Sequence, residues 1–336
     1  MQIDPNSIKK ILVVQIRPFG DVLLATSYLE ALTKRYPDAT IDFFVSAPFD
    51  QVLHNHPLLS SIIVSPKKDA LLPYLWGRLR AIVKVFCNRY DLVIDQQAGT
   101  GSAYITLFSA AKYRLGWNSA RGRCCYNLKA VPGVMRYHAC WNFGMVAPLG
   151  IAEVPFKLYV TITQASYDYI DNWLQKNNLC AKEFICIAPG SAVQKKQWET
   201  ASFLDVIRRI HETTGYSIVL TYSPSEKPVA QYLADNSNNA ARMSPPTTYN
   251  QVAAMLSRSK MLICHDGGIN HLSVATETPA IALFARASTA PWSPEGVFQH
   301  HYHIKKEMQL GDPTFGITPE DVYEKFEMLL AELQEQ

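Results

Sequence analysis

Residues suited to phosphate binding stand out in the second half of the sequence, where a predicted strand passes into a predicted helix. Residues 264–272 read CHDGGINHL, so Asp266, Gly267 and Gly268 lie at this junction. Two glycines let a ligand approach the backbone closely, and a helix N-terminus offers unpaired N–H groups and the positive end of its dipole. The pattern therefore favours a phosphate site. The alternative is a tight turn in which Asp266 caps the helix.

Two further stretches of the second half carry side chains that suit a nucleotide. Residues 188–198 read APGSAVQKKQW after an apolar run, and a lysine among small residues can neutralise a diphosphate. Glu226 follows the next predicted strand, a position suited to binding the hydroxyls of a ribose. The alternatives are two solvated lysines, Lys195 and Lys196, and a carboxylate in the first turn of a helix.

The first half offers a carboxylate at the end of its opening strand. Gly20 and Asp21 follow the apolar run at 11–14, and such a carboxylate can serve as a general base or as a helix cap. Residues 15–20 lack the G-x-G-x-x-G pattern of dinucleotide sites, which argues against NAD. The histidines have no zinc-ligand spacing, and those at 300–303 are expected in an exposed loop. We therefore expect neither a cofactor nor a metal ion.

The elements that must position these side chains alternate between apolar runs and amphipathic segments, as in a doubly wound α/β fold. In the first half, strands are predicted at 11–14, 41–45, 62–64 and 92–95, helices at 22–35 and 71–87, and an irregular segment at 113–155. In the second half, strands are predicted at 184–187, 217–221, 260–264 and 280–284, and helices at 164–176, 201–213, 226–236, 250–257, 269–276 and 319–333.

This repeated order predicts two Rossmann-like domains that face a central cleft. The first is placed at 1–158 and the second at 159–318, with a connecting strand at 157–163. A last helix within 319–336 begins after Thr318 as its N-cap. It is expected to pack back on the first domain.

The composition is that of a well-packed soluble protein, since 48% of the 336 residues are hydrophobic and 18% are charged. Seven cysteines without regular spacing indicate a reducing compartment, and no apolar run is long enough to span a membrane, so we expect a cytoplasmic protein. Residues 1–160 hold 18 Lys and Arg against 10 Asp and Glu, a net charge of +8, whereas the remainder carries −5. The first half is expected to face an anionic partner, unless these charges are only solvated.

Several short motifs, taken in order, resemble glycosyltransferase family nine, which contains the bacterial heptosyltransferases of the lipopolysaccharide inner core. The resemblance extends from Lys9 to about Pro294. Its motifs are ILVV at 11–14, GDVLL at 20–24, YDLVID at 90–95, Pro189-Gly190 with K-x-W at 196–198, DGGxxHL at 266–272 and TPxxxLF at 278–284. Each motif is short, and the specificity of the resemblance comes from the ordered set.

The resemblance implies a GT-B fold whose first domain binds the acceptor and whose second domain binds ADP-heptose, with no essential metal. Asp21 would be the catalytic base. The donor-binding residues would be Lys196 at the diphosphate, Glu226 at the ribose, and Asp266, Gly267, Gly268 and His271 in the nucleotide-sugar loop. Beside the resemblance, we expect acceptor binding by Arg17, Gly20, Arg121 and Arg123, of which Arg121 and Arg123 suit acidic sugars or phosphates. The family usually has Ser or Thr in place of Gly267, so one hydroxyl contact to phosphate is missing.

The implied reaction is a single displacement that inverts the anomeric centre, with Asp21 as proton acceptor and ADP as leaving group. The expected partners are an ADP-sugar donor, a lipid-linked inner-core acceptor and the cytoplasmic face of the inner membrane, and no nucleic acid. The alternatives are a GT-B transferase for another nucleotide sugar, a sugar-nucleotide epimerase and a non-catalytic lipopolysaccharide-binding paralogue.

The predicted helix at 71–87 combines a basic and an apolar face. Residues 70–90 contain Arg78, Arg80, Lys84 and Arg89 and no acidic residue, while leucines and aromatic residues recur at helical spacing. One face could therefore dock on a membrane while the other meets phosphates. The alternative is a core-facing helix with a solvated basic face.

Overall fold

A computed structural model of the chain describes residues 3–67, 69–191, 193–285, 289–307 and 312–335. The chain divides into two compact units, Met1–Thr161 and Ile162–Gln336, close to the boundary expected after residue 158. Each unit contains a six-stranded sheet and several helices. The predicted α/β class with two Rossmann-like units is therefore confirmed.

The first sheet consists of parallel strands in a doubly wound order. Its strands are β1 (Lys10–Val14), β2 (Thr40–Ser46), β3 (Ser61–Ser65), β4 (Leu92–Asp95), β5 (Tyr113–Trp117) and β6 (Leu128–Ala130). The order β3-β2-β1-β4-β5-β6 places β1 beside β4, with Val14 opposite Asp95. Because the order reverses at this point, the carboxyl ends of β1 and β4 border the crevice where doubly wound sheets bind their ligands.

Six helices accompany the first sheet in the described part of the unit. They are α1 (Phe19–Leu24), α2 (Leu29–Arg35), α3 (Leu71–Cys87), α4 (Thr100–Phe108), α5 (His138–Trp141) and α6 (Phe143–Val146). The single helix predicted at 22–35 is wrong, because the chain breaks between α1 and α2. In this break the Thr26 hydroxyl donates to the Leu23 carbonyl at 2.6 Å, a bond that competes with continuation of the helix. The segment predicted as irregular at 113–155 also supplies two strands and two helices.

The second sheet repeats this topology. Its strands are β7 (Phe184–Ala188), β8 (Ser217–Leu220), β9 (Ala241–Met243), β10 (Leu262–His265), β11 (Ala280–Leu283) and β12 (His301–Ile304). The order β12-β11-β10-β7-β8-β9 places β7 beside β10, with Ala188 opposite Cys264. The exposed loop expected at 300–303 is wrong for residues 301–303, which lie in β12 and pair with β11.

Six helices accompany the second sheet in the described part of that unit. They are α7 (Gln164–Lys176), α8 (Thr200–Thr214), α9 (Lys227–Asn236), α10 (Tyr249–Arg258), α11 (Gly268–Ala275) and α12 (Pro319–Glu332). Helix α12 begins at a capping box formed by Thr318 and Asp321, and its Val322 and Phe326 are buried in the core of the second unit. This packing differs from the expectation that the last helix returns to the first domain. The connecting strand predicted at 157–163 is not formed.

The central strands of both sheets are buried along their length, which explains their uninterrupted apolar sequences. Leu12 and Val93 lie in the core of the first unit, and Ile187 and Ile263 lie in the core of the second. These rigid strands hold the loops that follow their carboxyl ends. Among the helices of the described ranges, none has the length and apolar character needed to cross a membrane.

Candidate functional site

Asp21 lies in the first turn of α1, shortly after the end of β1. The N-cap of this helix is Pro18, and no side chain makes a capping hydrogen bond, so Asp21 is not the cap. Burial raises the pKa of the Asp21 carboxyl to about 6. Within the described residues, no ion pair neutralises this carboxylate. Near pH 7 it is therefore mostly ionised and retains the affinity for a proton that a general base needs.

The Asp21 carboxylate lines a pocket of about 700 Å³ in the first unit. The walls come from the loops that follow β1, β4 and β5 and from the region around α5. The lining residues are Gln15, Asp21, Gln96, Gln97, Ala98, Gly99, Thr100, Trp117, Ser119, Ala120, Arg121, Pro132, Met135, His138, Trp141 and Asn142. The pocket thus lies at the reversal point of the sheet, where the topology predicts a ligand.

Gln97 fixes the segment that leads from β1 to Asp21. Its Oε1 atom accepts hydrogen bonds from the backbone N–H groups of Ile16 and Arg17, both at 2.9 Å. Gln15 adds a bond from its Nε2 atom to the Arg17 carbonyl at 3.0 Å. A neutral amide from the loop after β4 therefore positions the loop after β1 without adding charge beside the carboxylate.

Aromatic residues line the same pocket, and two residues of its lining carry buried polar atoms. Trp117 and Trp141 stack with ring centroids 4.2 Å apart. The Trp141 Nε1–H donor and the Gln96 Oε1 acceptor are buried and have no hydrogen-bond partner within the described chain. Gln96 itself is oriented by Asn142, which accepts from its Nε2 atom at 2.8 Å. A ligand with an apolar face and hydroxyl groups, such as a sugar, complements this surface.

The predicted acceptor-binding residues are only partly brought together. Arg121 lines the pocket with Asp21, whereas Arg17 and Arg123 are exposed outside its lining and Gly20 is buried in α1. The surrounding sequence is nevertheless strongly basic, because residues 96–152 contain six Lys and Arg and no Asp or Glu. Among the described residues, the lining of the pocket itself holds one cation, Arg121, together with the Asp21 carboxylate.

In the second unit, Lys196 and Asp266 form an ion pair. The Lys196 Nζ atom lies 2.7 Å from the Asp266 Oδ2 atom, and only 16% of the lysine and 4% of the aspartate side chain are exposed. This pair links the loop after β7 to the loop after β10. Lys195, by contrast, is exposed. The two neighbouring lysines therefore differ in exposure, and the role of Lys196 at a diphosphate stays a prediction.

His265 joins the same two loops through both of its ring nitrogens. Its Nε2 atom accepts a hydrogen bond from the Trp198 backbone N–H at 2.8 Å. The Nδ1 atom must then carry the proton, and it donates to the Gly190 carbonyl at 3.0 Å. Burial lowers the pKa of His265 to about 4, so the ring is neutral near pH 7. His265 is thus a positioning residue.

Position 190 requires a glycine, because the Glu226 side chain packs directly against its backbone. A Cβ atom at Gly190 would come within 2.3 Å of the Glu226 Cγ atom. The Glu226 carboxylate accepts a hydrogen bond from the Ser223 backbone N–H at 2.8 Å, which holds the side chain immediately before α9. Glu226 and the loop after β7 are therefore neighbours, as a shared nucleotide site requires.

The Gly267-Gly268 turn opens α11 without a capping side chain. Gly267 has extended backbone, with φ −178°, and a Cβ atom added there would meet only the His265 carbonyl at 4.0 Å. Sterics therefore do not exclude the hydroxyl residue that the resembled family usually has. His271 is only 2% exposed and lies near the Trp292 ring, so its side chain is packed inside the unit.

Sequence reasoning missed Gln97, Trp141 and His265. The first follows the predicted strand 92–95, and His265 directly precedes Asp266, so their positions at strand ends were a usable signal. Trp141 falls in a segment whose sequence shows no clear periodicity. Across the described ranges, no group of three or more His, Cys, Asp or Glu side chains is arranged to hold a metal ion.

Comparisons with known proteins match this architecture over nearly the whole chain. The model of glycosyltransferase family 9 (heptosyltransferase) matches residues 78–312. Lipopolysaccharide heptosyltransferase 3 of Escherichia coli strain K12 is 25% identical over 295 residues, covering 83% of this chain and 83% of that protein.

Two solved structures share the fold. The glycosyl transferase family 9 protein from Veillonella parvula DSM 2008 superposes with a TM-score of 0.87 at 20% identity, over 98% of this chain and 99% of that one. The E. coli heptosyltransferase WaaC, solved with ADP-2-deoxy-2-fluoro heptose, gives a TM-score of 0.75 at 20% identity, over 95% and 99%. The two Rossmann-like units are therefore those of a GT-B fold.

Proposed function

Because this chain belongs to glycosyltransferase family 9, we propose that it transfers a heptose from ADP-heptose to the inner core of a lipopolysaccharide. The main support from the site is the Asp21 carboxylate, which lines a pocket and has a pKa raised to about 6. The names of the relatives supply the choice of sugar and acceptor, since the E. coli match is a lipopolysaccharide heptosyltransferase. The proposal of ADP as leaving group is supported by the ADP-2-deoxy-2-fluoro heptose in the WaaC structure.

On the acceptor side, Asp21 acts as the general base. It takes the proton of an acceptor hydroxyl while that oxygen bonds to the anomeric carbon and the bond from this carbon to the ADP oxygen breaks. One displacement inverts the anomeric centre. The acceptor sugar lies against the Trp117 and Trp141 rings, which line the pocket beside Asp21. Arg121 pairs with an acidic group of the acceptor.

On the donor side, Lys196 and the N-terminus of α11 stabilise the diphosphate as negative charge develops on it. Asp266 holds the lysine in place, and Glu226 binds the ribose hydroxyls. Removing one such electrostatic contact typically costs about 3 kcal/mol of transition-state stabilisation. His265 acts through Gly190 and Trp198 by fixing the loop that carries the lysine.

The lipid-linked acceptor also determines where the protein works. Core sugars are added to an acceptor anchored in a bilayer, so the chain is proposed to act in the cytoplasm as a peripheral protein on the inner membrane. The basic first half, with a net charge of +8, suits an anionic surface and an anionic acceptor. No cofactor takes part in this scheme.

The decisive experiment offers the protein ADP-heptose, a GDP-sugar and a UDP-sugar, each with and without a heptose-deficient core acceptor. We expect an acceptor-dependent product from ADP-heptose alone, with the anomeric centre inverted. Turnover with another nucleotide sugar would replace the donor assignment. Conversion of the donor without acceptor would indicate an epimerase, and acceptor binding without turnover would indicate the non-catalytic paralogue.

A further inference from the structure

Helix α3 carries its apolar side chains on the outside of the first unit. The exposed side chains are Leu72, Leu75, Trp76, Leu79, Val83 and Phe86. Their spacing of three and four residues places them on one face, whereas the buried residues Ala81 and Val85 lie on the other. Leu72 is 70% and Trp76 is 63% exposed. The alternative of a core-facing apolar stripe is therefore wrong.

The neighbouring helix α4 also carries exposed aromatic side chains. Tyr104 and Phe108 are exposed and stack on each other with ring centroids 6.3 Å apart. Arg78 ties α3 to α4, because its guanidinium donates to the Gly101 carbonyl at 3.2 Å and to the Tyr74 hydroxyl at 2.9 Å. We call the exposed apolar side chains of α3 and α4 the α3–α4 face. A contiguous exposed patch of this kind marks an interaction site, whereas scattered apolar residues do not.

The α3–α4 face is connected to the Asp21 pocket through α4. Gly99 and Thr100, where this helix begins, line the pocket, and Phe108 ends the helix on the apolar surface. One short helix therefore reaches from the pocket to the face. A substrate whose polar end occupies the pocket can have its apolar end near the face.

The charges around the face identify its partner. Residues 70–90 and 96–112 contain five Lys and Arg and no Asp or Glu. Arg80 and Lys84 are exposed beside the apolar stripe, and Arg89 lies over the Phe86 ring at 5.0 Å. An apolar centre with a basic rim is the composition of surfaces that bind anionic bilayers. In a symmetric dimer, the same basic rims would face each other and repel.

We propose that the α3–α4 face seats the first unit on an anionic lipid bilayer. The leucines and Trp76 enter the interfacial region, and Arg80 and Lys84 contact lipid phosphates. The binding itself depends only on this surface, whereas its use in holding the protein beside a lipid-linked acceptor rests on the proposed function.

Binding is tested by sedimentation of the full chain with two kinds of vesicle, one of phosphatidylcholine alone and one of phosphatidylcholine and phosphatidylglycerol in equal parts. We expect binding to the anionic vesicles at low salt and release as salt rises, because screening shortens the reach of exposed charges to about 8 Å at physiological ionic strength. Absence of binding to anionic vesicles at low salt overturns the inference.

Two pairs of substitutions separate the apolar and charged contributions. Leu72→Ser with Trp76→Ser should weaken vesicle binding by about tenfold or more, since two large side chains no longer leave water. Arg80→Glu with Lys84→Glu should weaken it at least about tenfold and remove the preference for anionic lipid. Tyr232→Ser with Lys176→Glu alters an equally exposed ring and lysine of the second unit, and should change nothing.

The use of the face is tested separately, by comparing an acceptor embedded in vesicles with a deacylated, water-soluble acceptor. The two double variants of the α3–α4 face should lose transfer to the embedded acceptor and keep transfer to the soluble one, and their affinity for ADP should be unchanged. Vesicle binding without transfer to either acceptor would refute the proposed function and leave the membrane surface standing. If the variants instead dissociate a dimer in sedimentation velocity and bind vesicles normally, the face is a contact between copies and the inference is wrong.

Discussion

Two carboxylates at related positions in the two units have opposite environments. Asp21 follows β1 and Asp266 follows β10, and both strands border the point where the sheet order reverses. Burial raises the pKa of Asp21 to about 6, and no ion pair within the described ranges neutralises it. Asp266 instead holds the Lys196 ammonium at 2.7 Å. Within the described residues, the same topology thus leaves one carboxylate without an ion pair in the first unit and fixes a cation beside the other carboxylate in the second.

The loops that carry these groups are positioned in the same way. Gln97 holds the loop after β1, and His265 holds the loop after β7, and both side chains are neutral near pH 7. A neutral anchor orders a loop without changing the local charge. The difference between the two sites therefore comes from the presence or absence of Lys196, which the following predictions test.

The largest expected effect is the loss of the base. Asp21→Asn preserves the size of the side chain but cannot accept the proton, so kcat should fall by about 10²–10⁴-fold. ADP affinity should stay close to wild type, and the temperature of unfolding near pH 7 should not fall, because Asn replaces a carboxylate whose charged form is disfavoured by burial. Asp38→Asn removes an exposed carboxylate from the same unit and serves as the control. Activity of Asp21→Asn above about a tenth of wild type would exclude a base at this position.

Breaking the ion pair of the second unit should affect both stability and ADP binding. Lys196→Met removes the ion pair of the buried Asp266, which should lower the free energy of unfolding by about 3 kcal/mol. The loss of a charged contact to phosphate should also weaken ADP binding about tenfold to a hundredfold. Lys195→Ala, at the exposed neighbour, is the matched control and should change neither quantity appreciably.

A double substitution separates these two effects. Lys196→Met with Asp266→Asn removes both charges, so thermal unfolding should return toward wild type while calorimetry still shows weak ADP binding. Recovery of ADP affinity in the double variant would show that Lys196 only compensates Asp266 and does not contact the diphosphate.

The strands that dominate both cores could be predicted from sequence for a physical reason. Residues such as Leu12, Val93 and Ile263 belong to strands that are buried on both faces. Because every side chain of such a strand is buried, its sequence is an uninterrupted apolar run. The short edge strands β6, β9 and β12 were not predicted, because polar residues occupy part of each strand. The break between α1 and α2 was not predicted either, because the helical periodicity at 22–35 does not report it.

The residues of the candidate site also differ in whether they could be predicted from sequence. Asp21, Lys196 and Asp266 follow apolar strands, so their positions in sequence already point to the ligand-binding edge of a sheet. His265 and Gln97 act through hydrogen bonds to residues 75 and 80 positions away, respectively, and local patterns contain no trace of such partners. The outward orientation of the apolar face of α3 was also open in the sequence, because amphipathic periodicity does not say which face is buried.

The pH dependence of turnover should distinguish Asp21 from Asp95, a second buried carboxylate of the first unit. Asp21 accepts a proton only when ionised, so kcat/KM should fall about tenfold per pH unit below its pKa of about 6. Burial also raises the pKa of Asp95 to about 6, and Asp95 accepts a hydrogen bond from Tyr126. If Asp21 is the base, the Asp95→Asn variant should show the same fall of kcat/KM below pH 6 as the wild type. Disappearance of this fall in Asp95→Asn would assign the titration to Asp95 instead of Asp21.

A matched pair of glycine substitutions tests the packing around the donor site. Gly190→Ala places a Cβ atom 2.3 Å from Glu226 and should lower the free energy of unfolding by about 1–3 kcal/mol, with weaker ADP binding. Gly267→Ala adds the same methyl group where the backbone is extended and space is open, so it should be tolerated. Equal losses in thermal unfolding would contradict the close contact between Gly190 and Glu226.

The smallest expected effect comes from restoring the hydroxyl that the family usually has at the start of α11. Gly267→Ser should change the free energy of unfolding by only a few tenths of a kcal/mol, because Ser and Gly differ little as N-caps. If the diphosphate reaches this helix end, the new hydroxyl can donate to it and should tighten ADP binding up to about tenfold. Gly267→Ala lacks the hydroxyl and controls for the added bulk. Calorimetry that shows unchanged or weaker ADP binding in Gly267→Ser alone would place the diphosphate away from α11 and leave Lys196 as its principal contact.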